Sequence, residues 1–186
     1  MSARRAAIRR ERKERAKAEK CKSPQGVMKR AMEQGRLDGR TVAVSIVLVT
    51  LKQKYCFGEG RMMKFINFIN RESLNFDQEA TMFNLEYYVK RLKDKINETG
   101  VDPETSDLTE IVYLNARDDY FISSASVMFM VLNEYFGFGS NLKGTGRIDF
   151  VMETMVNEYI KMVLDKDVHT VDYYYNRMKE VTKLNI

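Results

Sequence analysis

The sequence predicts an all-α protein made of two tandem three-helix units, and three observations carry that expectation. Leu85-Glu86-Tyr87-Tyr88-Val89-Lys90-Arg91-Leu92-Lys93-Asp94 reappears as Val171-Asp172-Tyr173-Tyr174-Tyr175-Asn176-Arg177-Met178-Lys179-Glu180. Upstream, Leu51-Lys52-Gln53-Lys54-Tyr55-Cys56-Phe57-Gly58 returns as Leu132-Asn133-Glu134-Tyr135-Phe136-Gly137-Phe138-Gly139, in the same order. Apolar residues between these blocks recur at helical spacing. An internal duplication explains all three, and each copy then settles ambiguities in the other.

Residues 1–24 form a basic arm. They are rich in Ala, Arg, Lys and Glu, all good helix formers, but Ile8 is the only large apolar residue after Met1. A helix here has no apolar face with which to dock on a core. Arg5, Arg9, Arg10, Arg12, Lys13, Lys17 and Lys20 share one broad face of a helical wheel. Ser23-Pro24 ends the segment. Residues 25–40 read as a connector helix through Val27, Met28, Ala31 and Met32, running into Gly35 and Asp38-Gly39.

Unit 1 spans 41–100. Thr41 to Tyr55 alternates like a strand at Val42, Val44, Ile46 and Leu48, yet its counterpart 124–136 is helical in character. Ala125, Phe129, Leu132 and Phe136 share one stripe there, behind a candidate cap at Ser124. Both segments are therefore predicted as helices buried on more than one face. Each breaks at a Phe-Gly turn, where Gly58 and Gly60, or Gly137 and Gly139, suit a positive-φ cap. Met62, Phe65, Ile66 and Ile69 mark the second helix, and Met82, Leu85, Val89, Leu92 and Ile96 the third.

Gly100-Val101-Asp102-Pro103 opens a linker, 101–122, in which Asp107-Leu108-Thr109-Glu110 looks like the cap of a separate helix. Unit 2, 123–186, repeats the pattern with Ile148, Val151, Met152, Met155, Tyr159 and Met162, then Val171, Tyr174, Tyr175, Met178 and Val181.

Charge separates the arm from the body. Residues 1–40 carry a balance of +9 and the remainder −4, so the pI of 9.1 describes the N-terminal end. Such a tail suits phosphate or an acidic surface. Cys21 and Cys56 form no disulfide or ligand pattern, which fits a reducing compartment. No apolar run approaches the ~20 residues that cross a bilayer, and no secretory signal is legible. A cytoplasmic, non-membrane protein is expected.

Catalytic constellations are scarce. His169, the only histidine, lies in Asp165-Lys166-Asp167-Val168-His169, without the companions that close a metal site. The glycines at 137, 139, 144 and 146 lack the Gly-Lys-Ser/Thr of a phosphate loop and read as turn residues. Asp118-Asp119 and the Asp149/Glu153 pair read as solvated helix faces. No enzyme activity, metal or cofactor is expected. Tyr87 with Arg91, and Tyr173 with Arg177, form a Tyr/Arg pair at four-residue spacing, present twice. They suit either a partner surface or the seam between the copies.

The basic start, the Leu132-x-x-x-Phe136-Gly137-Phe138-Gly139 turn and the following Arg147-x-x-Phe150 segment resemble small proteins encoded by prophages of Gram-positive bacteria. Leu51, Phe57, Gly58, Gly60, Arg61 and Phe65 match that pattern in part. Cys56 replaces the first glycine, and the second copy carries an insertion before Arg147. The resemblance implies a mobile-element setting in a bacterial host and no defined activity. By analogy it implies a binder of host machinery, such as an inhibitor of a CRISPR nuclease. The arm adds a phosphate-directed contact without base reading, since it has no aromatic residue. The sequence thus predicts a non-catalytic accessory protein that binds a nucleic acid, a nucleoprotein or a host protein. Self-association through the Tyr/Arg pairs is the alternative.

Overall fold

Six helices make up the computed structural model, which describes residues 23–72, 79–101, 105–139 and 146–184. They are α1 Pro24–Tyr55, α2 Glu59–Glu72, α3 Glu79–Asn97, α4 Leu108–Phe136, α5 Arg147–Leu164 and α6 Val171–Thr182. No strand occurs among the described residues. The seven arm cations, Arg5 to Lys20, lie outside them.

Two sequence boundaries vanish in the structure. The expected connector 25–40 and the first helix of unit 1 are one helix of 32 residues, and the expected linker helix merges with Ser124–Phe136 into one of 29. Ser23 caps α1 by accepting the Gly26 N–H at 3.1 Å, with Pro24 in the first turn. Asp107 caps α4 as expected, accepting the N–H groups of Thr109 and Glu110. Ser124 caps nothing. Nearby serines are absorbed into the helix, Ser126 donating to the Ile122 carbonyl at 2.8 Å and Ser123 to Tyr120 at 3.3 Å.

Gly35 and Gly39 do not break α1 because they face another backbone. A Cβ built on Gly35 would collide with the Tyr113 carbonyl, and one on Gly39 with the Arg117 carbonyl. The two long helices touch there with nothing between them. Beyond their far ends, Phe57 meets Phe136 and Phe138, at 5.5 and 5.9 Å between ring centroids. Since early residues meet early and late meet late, α1 and α4 run side by side in the same direction. Ser45–Leu51 and Ala125–Leu132 are buried without exception, so each helix is wrapped on all sides. That explains the strand-like reading of 42–48: a helix buried all round has no amphipathic period to show.

The shorter helices cross over. Apart from each other, α1 packs on α6 and α5, while α4 packs on α3 and α2. Each half's long helix is thus covered chiefly by the short helices of the other half. One continuous core runs from Val42 to Leu184 through both. The expected stripes are in it, Met62, Phe65 and Ile69 on α2 and Ile148 to Met162 on α5, together with Tyr88, which the stripe on α3 had omitted.

Candidate nucleic-acid interface

The two long helices end in the same way. At each C-terminus one residue takes the left-handed conformation, Cys56 (φ 52°) and Gly137 (φ 65°). Its N–H and the next one return to a single carbonyl, Leu51 O in α1 and Leu132 O in α4. Neither Gly58, Gly60 nor Gly139 has positive φ, so in the first half the strained position falls to cysteine. The reversal turns Phe57 and Phe138 inward, where both are fully buried and meet edge to face. Tyr55 closes on Phe138 at 4.6 Å. This aromatic cluster seals the bundle.

Cations cover the seal. The Arg61 guanidinium lies 4.0 Å over the Phe57 ring and 5.6 Å from Phe136, and Arg147 lies 5.6 Å over Phe138. Further along α2, Phe68 stacks on Tyr135 at 4.2 Å with the rings 10° from parallel, and Arg71 covers both. Arg71 donates to the Tyr135 hydroxyl at 2.8 Å and to Glu72 Oε1 at 3.1 Å, and Tyr135 donates to the same Oε1 at 2.8 Å. The hydrogen bond to Glu72, followed by burial, pushes the Tyr135 phenol above its ordinary pKa. Hydrogen bonds to Glu72 and Tyr135 also raise that of Arg71.

Between these groups lies an open hollow of about 530 Å³ lined by Gly60, Arg61, Lys64, Tyr135 and Phe136. Arg61 and Lys64 line it and are exposed, as are Arg71 over Tyr135, Arg147 over Phe138 and Lys54 near Phe150. Among the described residues, Arg71 is the one of these five that pairs with a carboxylate. A guanidinium over a ring keeps donors free for phosphate, and aromatic side chains can stack with bases.

The Tyr/Arg positions are placed differently. Tyr87 and Arg91 are on α3, packed on α4, whereas Tyr173 and Arg177 are on α6, packed on α1. Tyr87 is half exposed, and Tyr173 stacks on His169 at 5.0 Å. Arg91 pairs with Asp149 across to α5, and Arg177 stands 3.7 Å from Glu158. The neighbouring Tyr88 and Tyr174 are the buried pair. Burial, with the adjacent Tyr87, pushes the Tyr88 phenol up to about 12.

Two carboxylates expected on solvated faces are not there. Asp149 is 3% exposed, accepting the Gly146 N–H at 2.7 Å and pairing with Arg91. Asp118 receives Arg117 at 2.8 Å and the Tyr159 hydroxyl at 3.0 Å, and burial raises its pKa against the pull of Arg117. Asp165 and Asp167 are exposed, and no group of three His, Cys, Asp or Glu suited to a metal occurs among the described residues. No helix of the described residues is long and apolar enough to cross a membrane. Cys56 is a free, exposed thiol, and Cys21 lies outside the described residues.

The hollow was only partly visible in the sequence. Arg61 and Phe136 belong to the repeated Phe-Gly turn pattern read in the sequence, but Lys64, Arg71 and Tyr135 do not. Continuing the repeat through the second helix, with Arg61 on Arg147, would also have set Glu72 opposite Glu158. Both are buried. Comparison of the chain with protein-family profiles, curated proteins and solved structures finds no match in any of the three.

Proposed function

We propose that this chain is a non-catalytic accessory protein that binds a nucleic acid or nucleoprotein through its backbone phosphates, using the basic–aromatic end of the bundle together with the arm. The observation that carries the reading is the hollow at Arg61, Lys64 and Tyr135, where exposed cations are held against ring faces at one end of a body whose overall charge is negative. Cations neutralising phosphates and rings stacking bases are the two ingredients of sequence-tolerant single-strand binding. The arm cations Arg5, Arg9, Arg10, Arg12, Lys13, Lys17 and Lys20 would extend the same contact. A phage or mobile-element setting in the bacterial cytoplasm, and a target within a host defence complex such as a CRISPR nuclease, are the narrower form of this proposal. They rest on the prophage resemblance. We also infer that the two halves arose by duplication, supported by the paired caps at Cys56 and Gly137 and the paired arginines over Phe57 and Phe138. Self-association through Tyr87, Arg91, Tyr173 and Arg177 is less favoured, because Arg91 would have to leave a buried partner.

The test is a salt series of binding to labelled single-stranded DNA and RNA. Each neutralised phosphate adds about 0.7 to the slope of log affinity against log salt. Replacing Arg61, Lys64 and Arg71 by Glu should abolish binding at moderate salt, and replacing Arg5, Arg9, Lys13, Lys17 and Lys20 by Ala should flatten the slope. Absence of binding at low salt, or a slope unmoved by both sets, would overturn the reading.

A further inference from the structure

Two buried glutamates sit at corresponding positions in very different company. Glu72 on α2 is 7% exposed and Glu158 on α5 is 8% exposed. Around Glu72 the space is full: Phe68 and Tyr135 stack face to face, and the Tyr135 hydroxyl donates to the carboxylate. In the other half the residues corresponding to Phe68 and Tyr135 are Thr154 and Lys54. Neither supplies a ring. What remains is a pocket of about 130 Å³ between α1, α5 and α6, which both residues line together with Glu158.

The pocket has one buried acceptor that is ion-paired with Arg177 but receives no hydrogen bond. Glu158 Oε1 accepts Lys161 at 2.8 Å, but Oε2 is buried and accepts no hydrogen bond. The Arg177 Nη1 atom stands 3.7 Å away, beyond hydrogen-bond reach. Tyr174, whose ring also lines the space, spends its hydroxyl on the Glu158 backbone carbonyl at 2.9 Å. Thr154 and Thr50 likewise donate to carbonyls of their own helices. Ser45 and Gln53 also line the space, and neither donates to Oε2. The walls at Ile46, Val49 and Phe150 are apolar. A buried acceptor without a donor is costly, and a cavity of roughly 150 Å³ is enough for one benzene ring.

We propose that this pocket binds a small monocyclic aromatic molecule carrying a hydrogen-bond donor, in the simplest case a phenol. The ring lies against Ile46, Val49 and Phe150, and the O–H is donated to Glu158 Oε2. The protein holds its own example of the fit, since the Tyr135 phenol makes this contact with Glu72. The proposal stands apart from the nucleic-acid reading and survives its failure.

Titration of phenol and of toluene into the full chain, followed by calorimetry and by the melting temperature, tests it. Phenol should saturate and raise the melting temperature, and toluene should bind at least about tenfold more weakly, because it leaves the acceptor unpaired. The double substitution Lys54→Tyr with Thr154→Phe copies the filled half and should abolish phenol binding. Glu158→Gln should weaken phenol about tenfold and leave toluene unchanged, since a neutral acceptor is the poorer one. That single variant decides the matter should the double variant fail to fold. Phenol that does not saturate, that binds no better than toluene, or that ignores Glu158→Gln would overturn the proposal.

Discussion

The seam between α3 and α5 is closed, whereas the gap between α2 and α6 is left open. In the closed seam Arg91 reaches the buried Asp149, and Lys95 meets Glu153 at 3.5 Å. In the other, a groove of about 300 Å³ remains among Leu37, Val44, Ile66, Ile69 and Met178. The difference traces to single residues. Aligning Arg61 with Arg147 sets Met63 against Asp149, Asn67 against Glu153 and Val181 against Lys95. Where Arg91 meets Asp149, the aligned position on α2 is Met63, and Arg177 stands 3.7 Å from Glu158 on α5. Apolar surface alone sets no fixed approach between helices, whereas a buried pair with a backbone N–H on the same carboxylate does.

Both seams hang on the shared α1–α4 contact, so breaking it should have the largest effect. Gly39→Val puts a branched Cβ against the Arg117 carbonyl and should cost about 4 kcal/mol, read by urea denaturation. Asp149→Ala should cost about 3 kcal/mol, since it strands Arg91 and frees the Gly146 N–H. Met63→Ala, at the corresponding place in the open gap, should be close to neutral. A similar cost at both sites would erase the proposed contrast.

The buried tyrosines sharpen the comparison further. Tyr174→Phe loses the bond to the Glu158 carbonyl and should cost about 1 kcal/mol, whereas Tyr88→Phe should lie within a few tenths of wild type. Burial lifts Tyr88 to about 12 and raises Tyr113 and Tyr174 as well. An unfolded tyrosine ionises near 10, so above that pH the unfolded chain binds fewer protons than the folded one. Stability from these rings is complete below pH 10 and falls by at most about 1.4 kcal/mol per tyrosine for each pH unit above it, until the folded ring ionises. Alkaline unfolding followed by tyrosine absorbance should show this slope, and Tyr88→Phe should lessen it. The smallest expected effect is a gain. Met63→Asp gives Arg177 a partner on α2, and a double-mutant cycle with Arg177→Ala should find coupling of about 0.5 kcal/mol.

How much of this could be read beforehand depended on where the determining contact lay. Helicity of 42–55 was legible because Ala125 to Phe136, aligned with it, show in clear form what the valines of 42–49 conceal. The reversal after each long helix was legible too, and Gly137 was read correctly, but in the first helix the left-handed residue was misplaced onto Gly58 and Gly60, because glycine carries no conformational cost there while Cys56 does. Gly35 and Gly39 look the same in sequence whether they end a helix or admit another backbone, and only Arg117 decides between the two. Asp149 reads as solvated because its own helix gives no sign of Arg91, 58 residues earlier. Charge patterns report local faces, and burial of a charge is settled by a distant partner.

Cross-packing has a consequence during synthesis. When α1 is complete at Tyr55, the helix that covers it most extensively has not been made, and α4 is complete only at Phe136. At ordinary ribosomal speeds that interval is on the order of 5–15 s. Throughout it, a helix whose residues from Val42 to Leu51 are nearly all destined for the interior stands uncovered beside the ribosome. The first half of the chain on its own is therefore a client for a chaperone or a seed for aggregation, and it becomes a folded protein only when the second half arrives.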